Sequence, residues 1–270
     1  MNKQNIEDIA KNLWGNDLHK DFIAPVHSVQ FEEVFRNIWL NSLSGDLLEI
    51  GCGSGADLAS FIKLDSFKTI TAIDLGDNVL DLAETYKDSL NVDIQIGNAM
   101  NLKFQDNSFD MVYSFGIFHH THSPLKCFSE AYRVLRDNGQ IFLYLYSSHE
   151  KYFFKKIGIW LEKFLMKIIR LIPYKLQISI CIFLSPICWI FFSIPAMFTA
   201  FIFGKTQAKK IPFYWGTHPF SLIPDLKDRL MSPINHRFSY LEIELILKNL
   251  NFKNYNIQEK ASGIYIYAKK

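Results

Sequence analysis

Apolar positions along this chain follow a helical period first and a strand period later. Residues 6–13 and 26–43 carry apolar side chains at spacings of three and four, which predicts two helices. From Leu47 the pattern shortens. "LLEI" is a compact apolar run that stops at glycines, as a buried strand does, and residues 56–62 then return to a helical period. "TITAID" predicts a second strand and residues 77–86 a helix with Asp77 as its cap. "VDIQIG", "FDMVYSF" and "QIFLYLY" predict three further strands. A helix over residues 124–135 precedes the last of these, which should start after the turn signal "DNG". Near the end, residues 240–250 predict a helix capped by Ser239, and "NYNIQEK" and "GIYIYAKK" predict a terminal hairpin around Ala261 and Ser262.

Strands alternating with helices at this spacing predict an α/β fold of Rossmann-like, doubly wound type. It should hold a mostly parallel sheet, a C-terminal antiparallel hairpin and a hydrophobic helical insertion. Residues 1–45 form an N-terminal helical cap in this reading. Residues 46–150 and 236–270 form the sheet domain, and residues 151–235 the insertion. In such sheets ligands bind beyond the carboxyl ends of the strands, so the loops after Ile50, Asp74, Gly97 and Ser114 are the ones to search.

The insertion has its own pattern. Over residues 152–172, Lys156, Lys163, Lys167 and Arg170 fall in a narrow arc at about 100° per residue, against an aromatic and aliphatic remainder. This predicts an amphipathic helix lying in a membrane interface. Residues 176–204 carry no charge at all, and a spanning helix needs about 20 such residues. Pro186 and Pro195 should divide the run into short pieces. A single crossing would also put the terminal hairpin on the far side from the sheet it should complete. The expectation is a monotopic contact through residues 152–204; an apolar lid or dimer interface is the alternative.

Charge sharpens this picture. The whole chain is nearly balanced at +2, yet residues 151–210 carry a net +9, leaving −7 elsewhere. A basic block beside a long apolar run points to an anionic membrane surface, and no nucleic acid is expected. Four cysteines, Cys52, Cys127, Cys181 and Cys188, make no Cys-x-x-Cys pair and no zinc spacing, so no metal is expected and a reducing cytosol is the expected setting. The polar first residues carry no apolar signal region. Together these place the protein in the cytoplasm at the inner face of a membrane.

"LLEIGCGSGAD" sets Gly51, Gly53 and Gly55 after the first strand, where small residues let a backbone approach a ligand and turn into a helix. Asp74 ends the second strand 23 residues after Gly51, where an acid can accept both hydroxyls of a ribose. These two features fit a nicotinamide dinucleotide or another adenosine cofactor, and a plain strand–helix turn remains open beside them.

A third feature separates these readings. "LLEIGCGSG", "AIDLGDNVLDLA", "GNAMNLKFQDNSFDMVYS", "FHHTHSP" and "EAYRVLRDNGQ" run in order over residues 47–146. In these words the chain resembles the class I S-adenosylmethionine-dependent methyltransferases, most closely the group that includes quinone-biosynthesis enzymes. The resemblance implies S-adenosyl-L-methionine as cofactor. It places Glu49 and the glycine turn near the methionine end, Asp74 on the ribose, and Leu75 against the adenine. Asn98 and Ala99 would lie at the adenine edge, with Ser114 and Phe115 under the sulfonium. The family usually has an acid where Asn98 stands, although an amide oxygen can also accept from the adenine amino group. His119, His120 and His122 follow the fourth strand. His120 holds the family-like position for a proton-transfer role, with His119 beside it, and loop packing is the alternative for all three. Cys52 reads as a packing residue.

Residues 214–252 resemble, more weakly, the last part of methyltransferases of surface-polysaccharide or lipid pathways, through Asp228, Ser232, Pro233, His236 and Asn251-Phe252. Trp215, His218 and His236 could line an acceptor pocket there, or serve loop packing. The sequence thus leads to methyl transfer onto a small-molecule or lipid-linked acceptor at a membrane surface. A non-catalytic, membrane-attached cofactor-binding module and a nicotinamide-dependent oxidoreductase are the competing readings.

Overall fold

The structure, a computed structural model, describes residues 27–150 and 153–270. The expected helix over residues 6–13 and the first residue of the one over 26–43 lie outside the described residues. The chain divides into two compact units. One comprises the chain up to Ser148 together with Pro233–Lys270, and the other His149–Ser232.

The first unit is a seven-stranded sheet in the order β3-β2-β1-β4-β5-β7-β6. Its strands are β1 (Asp46–Ile50), β2 (Thr69–Asp74), β3 (Val92–Ile96), β4 (Phe109–Phe115), β5 (Leu135–Leu145), β6 (Lys253–Glu259) and β7 (Ile264–Lys269). β1 to β5 pair in parallel, and β7 runs antiparallel between β5 and β6. The sheet is therefore the expected doubly wound one closed by a C-terminal hairpin. Chain order reverses beside β1, which opens the crevice where such sheets bind ligands.

Helices cover both faces because the central strands bury both. Leu48 and Ile50 of β1 pack with Phe128 of α4 (Pro124–Val134) and with Ile243 and Leu247 of α10 (Tyr240–Asn249). On the opposite face Leu47 packs with Leu58 and Phe61 of α2 (Ala56–Leu64) and with Phe31, Phe35 and Trp39 of α1 (His27–Leu40). The four-residue spacing of those three aromatics lines up one face of α1, and the Phe31 ring lies 5.4 Å from Tyr113 and 5.8 Å from Phe142. Ser239 caps α10 through a full capping box with Glu242.

Two local expectations need correction. Asp77 precedes α3 (Asn78–Thr85), but its side chain makes no capping hydrogen bond. β5 begins at Leu135 rather than after "DNG". Leu135 pairs with Phe109 and Gln140 with Met111, so Asn138, at φ 65°, sits in a bulge inside the strand rather than in a turn before it.

The second unit is helical. It contains α5 (Phe153–Ile169), α6 (Tyr174–Cys188), a π-helical turn (Trp189–Ser193), α7 (Ile194–Phe203), α8 (Lys205–Ala208) and α9 (Ile223–Met231). α6, the π turn and α7 join into one 30-residue helix, Tyr174–Phe203. The expected division at Pro186 and Pro195 does not occur. The hydrogen-bond step lengthens immediately before Pro195, where the Ile194 amide donates to the Trp189 carbonyl. Pro195 thereby falls in the first turn of α7, where its missing N–H leaves no bond unmade.

This helix packs by its small residues. Cys181, Ser185, Ser193 and Ala196 are buried, and the two serine hydroxyls donate to the carbonyls of Pro219 (2.7 Å) and Phe213 (2.6 Å). Its large apolar side chains point outward: Phe183, Phe191, Phe198, Phe201 and Phe203 are all exposed. Only 17% of its most apolar window is buried. α5 is similar. Met166 and Ile169 are buried, whereas Trp160, Phe164, Ile168 and Leu171 form an exposed stripe beside exposed Lys163, Lys167 and Arg170.

Candidate functional site

The turn leaving β1 is hung on β2. The amides of Gly51 and Cys52 both donate to the Ile73 carbonyl, at 2.7 and 3.1 Å. Gly51, Gly53 and Gly55 all take positive φ, at 84°, 51° and 80°, which only glycine adopts without strain. Their surroundings differ. A side chain at Gly51 would collide with Ile117 and one at Gly55 would lie 2.7 Å from Leu82, so these two permit close packing. Gly53 has no protein atom within 4 Å of where a Cβ would stand, so its face is open to a ligand.

Asp74 is fixed beside that opening. One carboxylate oxygen accepts from the Gly53 amide at 2.9 Å and the other from the Gly76 amide at 3.0 Å. Two backbone donors set the plane of this carboxylate, and each oxygen keeps a further lone pair. Asn78 completes the arrangement by donating to the Gly53 carbonyl at 2.5 Å, and its own Oδ1 is buried without a partner. Leu75, the next residue, is half-buried.

Glu49 lies beneath the turn, almost wholly buried, with Oε2 unpartnered. Burial pushes its carboxyl well above the ordinary glutamate range, and the charges of Asp57 and Asp74 add to that push. Asp57, also buried, accepts from the Tyr113 hydroxyl at 2.8 Å. The carboxyls of Glu49, Asp57 and Asp74 thus lie close enough to act on one another, and Glu49 keeps an unused buried oxygen. Such a set calls for a cation or a group rich in donors. Cys52 is buried, and burial lifts its thiol well above the usual range, which suits packing rather than nucleophilic chemistry.

The remaining predicted residues lie on neighbouring loops of the same edge. Asn98 closes a small turn after β3, its Oδ1 accepting from the Met100 amide at 2.9 Å, and Ala99 is buried beside it. Ser114 is buried and donates to the Ile50 carbonyl at 2.8 Å, which ties the ends of β4 and β1 together. Phe115 stacks on Tyr144 at 4.1 Å. His119 and His120 follow in a 3₁₀ turn (Phe118–His120), with their rings 4.2 Å apart. His119 is fully buried, stacks on Tyr146 at 4.0 Å and has no partner at either ring nitrogen. Burial holds it well below the ordinary histidine range, reinforced by the charges of His120, Arg237 and His236. His120 places Nδ1 2.8 Å from the Ile234 carbonyl. His236 belongs to the sheet unit, whereas Trp215 and His218 belong to the helical one.

Sequence reasoning missed Asp57 and Asn78. For Asp57 a signal existed: it shares the buried face of α2 with Phe61, one turn on, where a carboxylate is out of place.

Residues 48–143 match the family described as a methyltransferase domain. Demethylmenaquinone methyltransferase of Symbiobacterium thermophilum is 30% identical over 130 residues, 45% of either chain. The ubiquinone/menaquinone biosynthesis C-methyltransferase of Roseobacter denitrificans is 32% identical over 136 residues, 47% of this chain and 54% of its own. The chain therefore spans about half the length of the curated relatives it matches. Among solved structures, the CurJ carbon methyltransferase aligns over 94% of this chain and 56% of its own, with a TM-score of 0.51 at 15% identity, a likeness of fold. The matched words surround the open glycine face and the Asp74 carboxylate. Over residues 48–143 the sheet unit is thus similar to the class I S-adenosylmethionine-dependent methyltransferases.

Proposed function

We propose that this protein transfers a methyl group from S-adenosylmethionine to a small-molecule or lipid-linked acceptor at the inner, cytoplasmic face of a membrane. The observation that carries the reading is the open face of Gly53 beside an Asp74 carboxylate fixed by two backbone amides, above the unpartnered oxygen of Glu49. Asp74 would accept from the ribose hydroxyls, and Glu49 would face the positive methionine end, where its spare oxygen gains a donor. Leu75, Asn98 and Ala99 would bound the adenine, and Ser114 and Phe115 the floor beneath the sulfur. Gly51 and Gly55 let the turn close tightly enough for this. When bound, the cofactor supplies a methyl already activated on positive sulfur. The protein's own work is then alignment and exclusion of water, worth about 7–11 kcal/mol in favourable cases. His120, with His119 beside it, is the candidate to take a proton from the acceptor.

The membrane part rests on the second unit. A soluble helix buries its large apolar side chains, whereas helix Tyr174–Phe203 buries small ones and exposes phenylalanines. That inversion suits a lipid environment, where small residues bring helices together. The contact is read as monotopic. β5 precedes the insertion and pairs with β7, which follows it, so the chain leaves and returns on one side. The exposed lysines of α5 supply attraction to anionic headgroups. Four free thiols accord with a reducing compartment.

Calorimetric titration of the full chain with S-adenosylmethionine and S-adenosylhomocysteine tests the first part. Micromolar binding that is lost in Asp74→Ala is expected, and no heat at millimolar ligand refutes the reading. Lipid mass spectrometry of cells with and without the protein, searching for species heavier by one methylene, identifies the acceptor.

A further inference from the structure

Gly53 differs from the other two glycines of its turn in what holds it. All three take positive φ, but Gly51 is wedged against Ile117 and Gly55 against Leu82, whereas no described atom lies within 4 Å of the Cβ position at Gly53. A glycine that no side chain packs against is the freest point of a turn. Two side chains nevertheless grip it by hydrogen bonds. The Gly53 amide donates to Asp74 Oδ2 at 2.9 Å, and the Gly53 carbonyl accepts from Asn78 Nδ2 at 2.5 Å. The amide belongs to the peptide before its Cα and the carbonyl to the peptide after it. The two bonds together therefore set both φ and ψ of this one residue.

Among the described residues this is the one hydrogen bond of the Asn78 side chain. Asn78 is the first residue of α3, yet its side chain reaches back 25 residues to the turn. A carbonyl only accepts, so Nδ2 must face Gly53 and Oδ1 the other way. That Oδ1 is buried without a partner. An unmatched buried acceptor is a cost to the fold, which a residue kept for stability alone would avoid. Other amides of the turn are occupied too: those of Gly51 and Cys52 by the Ile73 carbonyl, and that of Gly55 by the Cys52 carbonyl. At Gly53 the turn therefore offers a ligand a methylene face rather than the free N–H groups that a phosphate needs.

We propose that Asn78 is a positioning residue: together with Asp74 it locks both backbone torsions of Gly53 and so holds the open face of that glycine in place for a phosphate-free nucleoside cofactor. The inference rests on the methyl-transfer reading above. In this role Asn78 need touch no reacting atom, because it acts through Gly53. Without its amide the peptide after Gly53 is free to rotate, and the ligand must order it on binding. Ordering the backbone of one residue corresponds to about 5–30-fold in affinity.

The test is calorimetric titration of the full chain with S-adenosylhomocysteine, paired with nitrogen-15 spectra of glycine-labelled protein that follow hydrogen exchange at the Gly53 amide. Gly53→Ala assigns the signal. Asn78→Ala removes the donor together with the unmatched oxygen. Asn78→Asp keeps the shape but sets an oxygen against the Gly53 carbonyl. Both variants should melt close to the parent and bind S-adenosylhomocysteine about 5–30-fold more weakly, with Asn78→Asp the weaker of the two. In the ligand-free variants the Gly53 amide should exchange faster than in the parent, and saturating ligand should slow it again. The Gly51 and Gly55 amides, held by packing, should change little. Unchanged affinity in both variants, or a Gly53 amide that exchanges as in the parent, overturns the proposal. So does a loss of affinity that only tracks a fall in melting temperature, with all three glycines loosened alike. If Asn78→Asp does not fold, Asn78→Ala alone decides. If the parent does not bind S-adenosylhomocysteine, the methyl-transfer reading fails, while exchange at Gly53 in the ligand-free proteins still decides the clamp.

Discussion

Replacing Phe201 and Phe203 together by serine tests the proposed lipid contact apart from the rest of the molecule. Both rings sit at the end of helix Tyr174–Phe203 and are 90% and 70% exposed, so their loss removes almost no internal packing. Burying a phenylalanine side chain is worth about 2 kcal/mol relative to leaving it in water. Scaled by those exposures, the pair contributes about 3 kcal/mol to partitioning, which corresponds to roughly a hundredfold in the partition coefficient. The assay is co-sedimentation with vesicles containing an anionic lipid, at low and high salt. Thermal unfolding and S-adenosylhomocysteine titration serve as controls, and both should match the parent protein. Salt should weaken binding of parent and variant alike, because exposed lysines of α5 supply the electrostatic part. A partition coefficient unchanged by the double substitution would refute the inference from exposed rings to lipid, and would leave these side chains to cover a protein partner instead.

Two predictions concern the proposed cofactor cradle. Gly53→Ala places a methyl where no protein atom lies within 4 Å, at φ 51°, so the fold should lose only about 1 kcal/mol of stability, while intrusion into the ligand's space costs about 1–3 kcal/mol of affinity. Calorimetric titration and thermal unfolding separate these two effects, and unchanged affinity would mean that no ligand approaches Gly53. Glu49→Gln tests the buried carboxyl. A carboxyl raised in the folded state binds its proton more tightly than in the unfolded chain. Its contribution to stability is therefore fully present below the ordinary value of 4.5 and is lost as pH rises through the higher folded value. In the ligand-free protein Glu49→Gln should raise the melting temperature at pH 8 and flatten its decline with pH, yet weaken S-adenosylmethionine binding. A variant less stable than the parent at pH 8 would contradict the burial argument.

The sequence by itself determined the sheet and the glycine turn that follows its first strand. Its strands are short apolar runs punctuated by glycine, and the period-two hairpin at the end could only close a sheet edge. The glycine turn and Asp74 were legible because the local pattern marks both strand ends: glycines stop the apolar run of β1, and Asp74 closes that of β2. Only the tertiary structure decided the rest. Asp57 meets a tyrosine 56 residues away because α2 folds its carboxylate into the core. The His120 ring meets a carbonyl 114 residues further on, across the whole insertion. Pro195 did not break the apolar run, because a change of hydrogen-bond step absorbed it, and Pro186 lies within α6 without ending it. Composition gave the greasiness of that run but not its direction, which follows from serine hydroxyls reaching the carbonyls of Phe213 and Pro219. Local periodicity records which elements form; contacts between distant segments, made only on folding, decide which atoms those elements bring together.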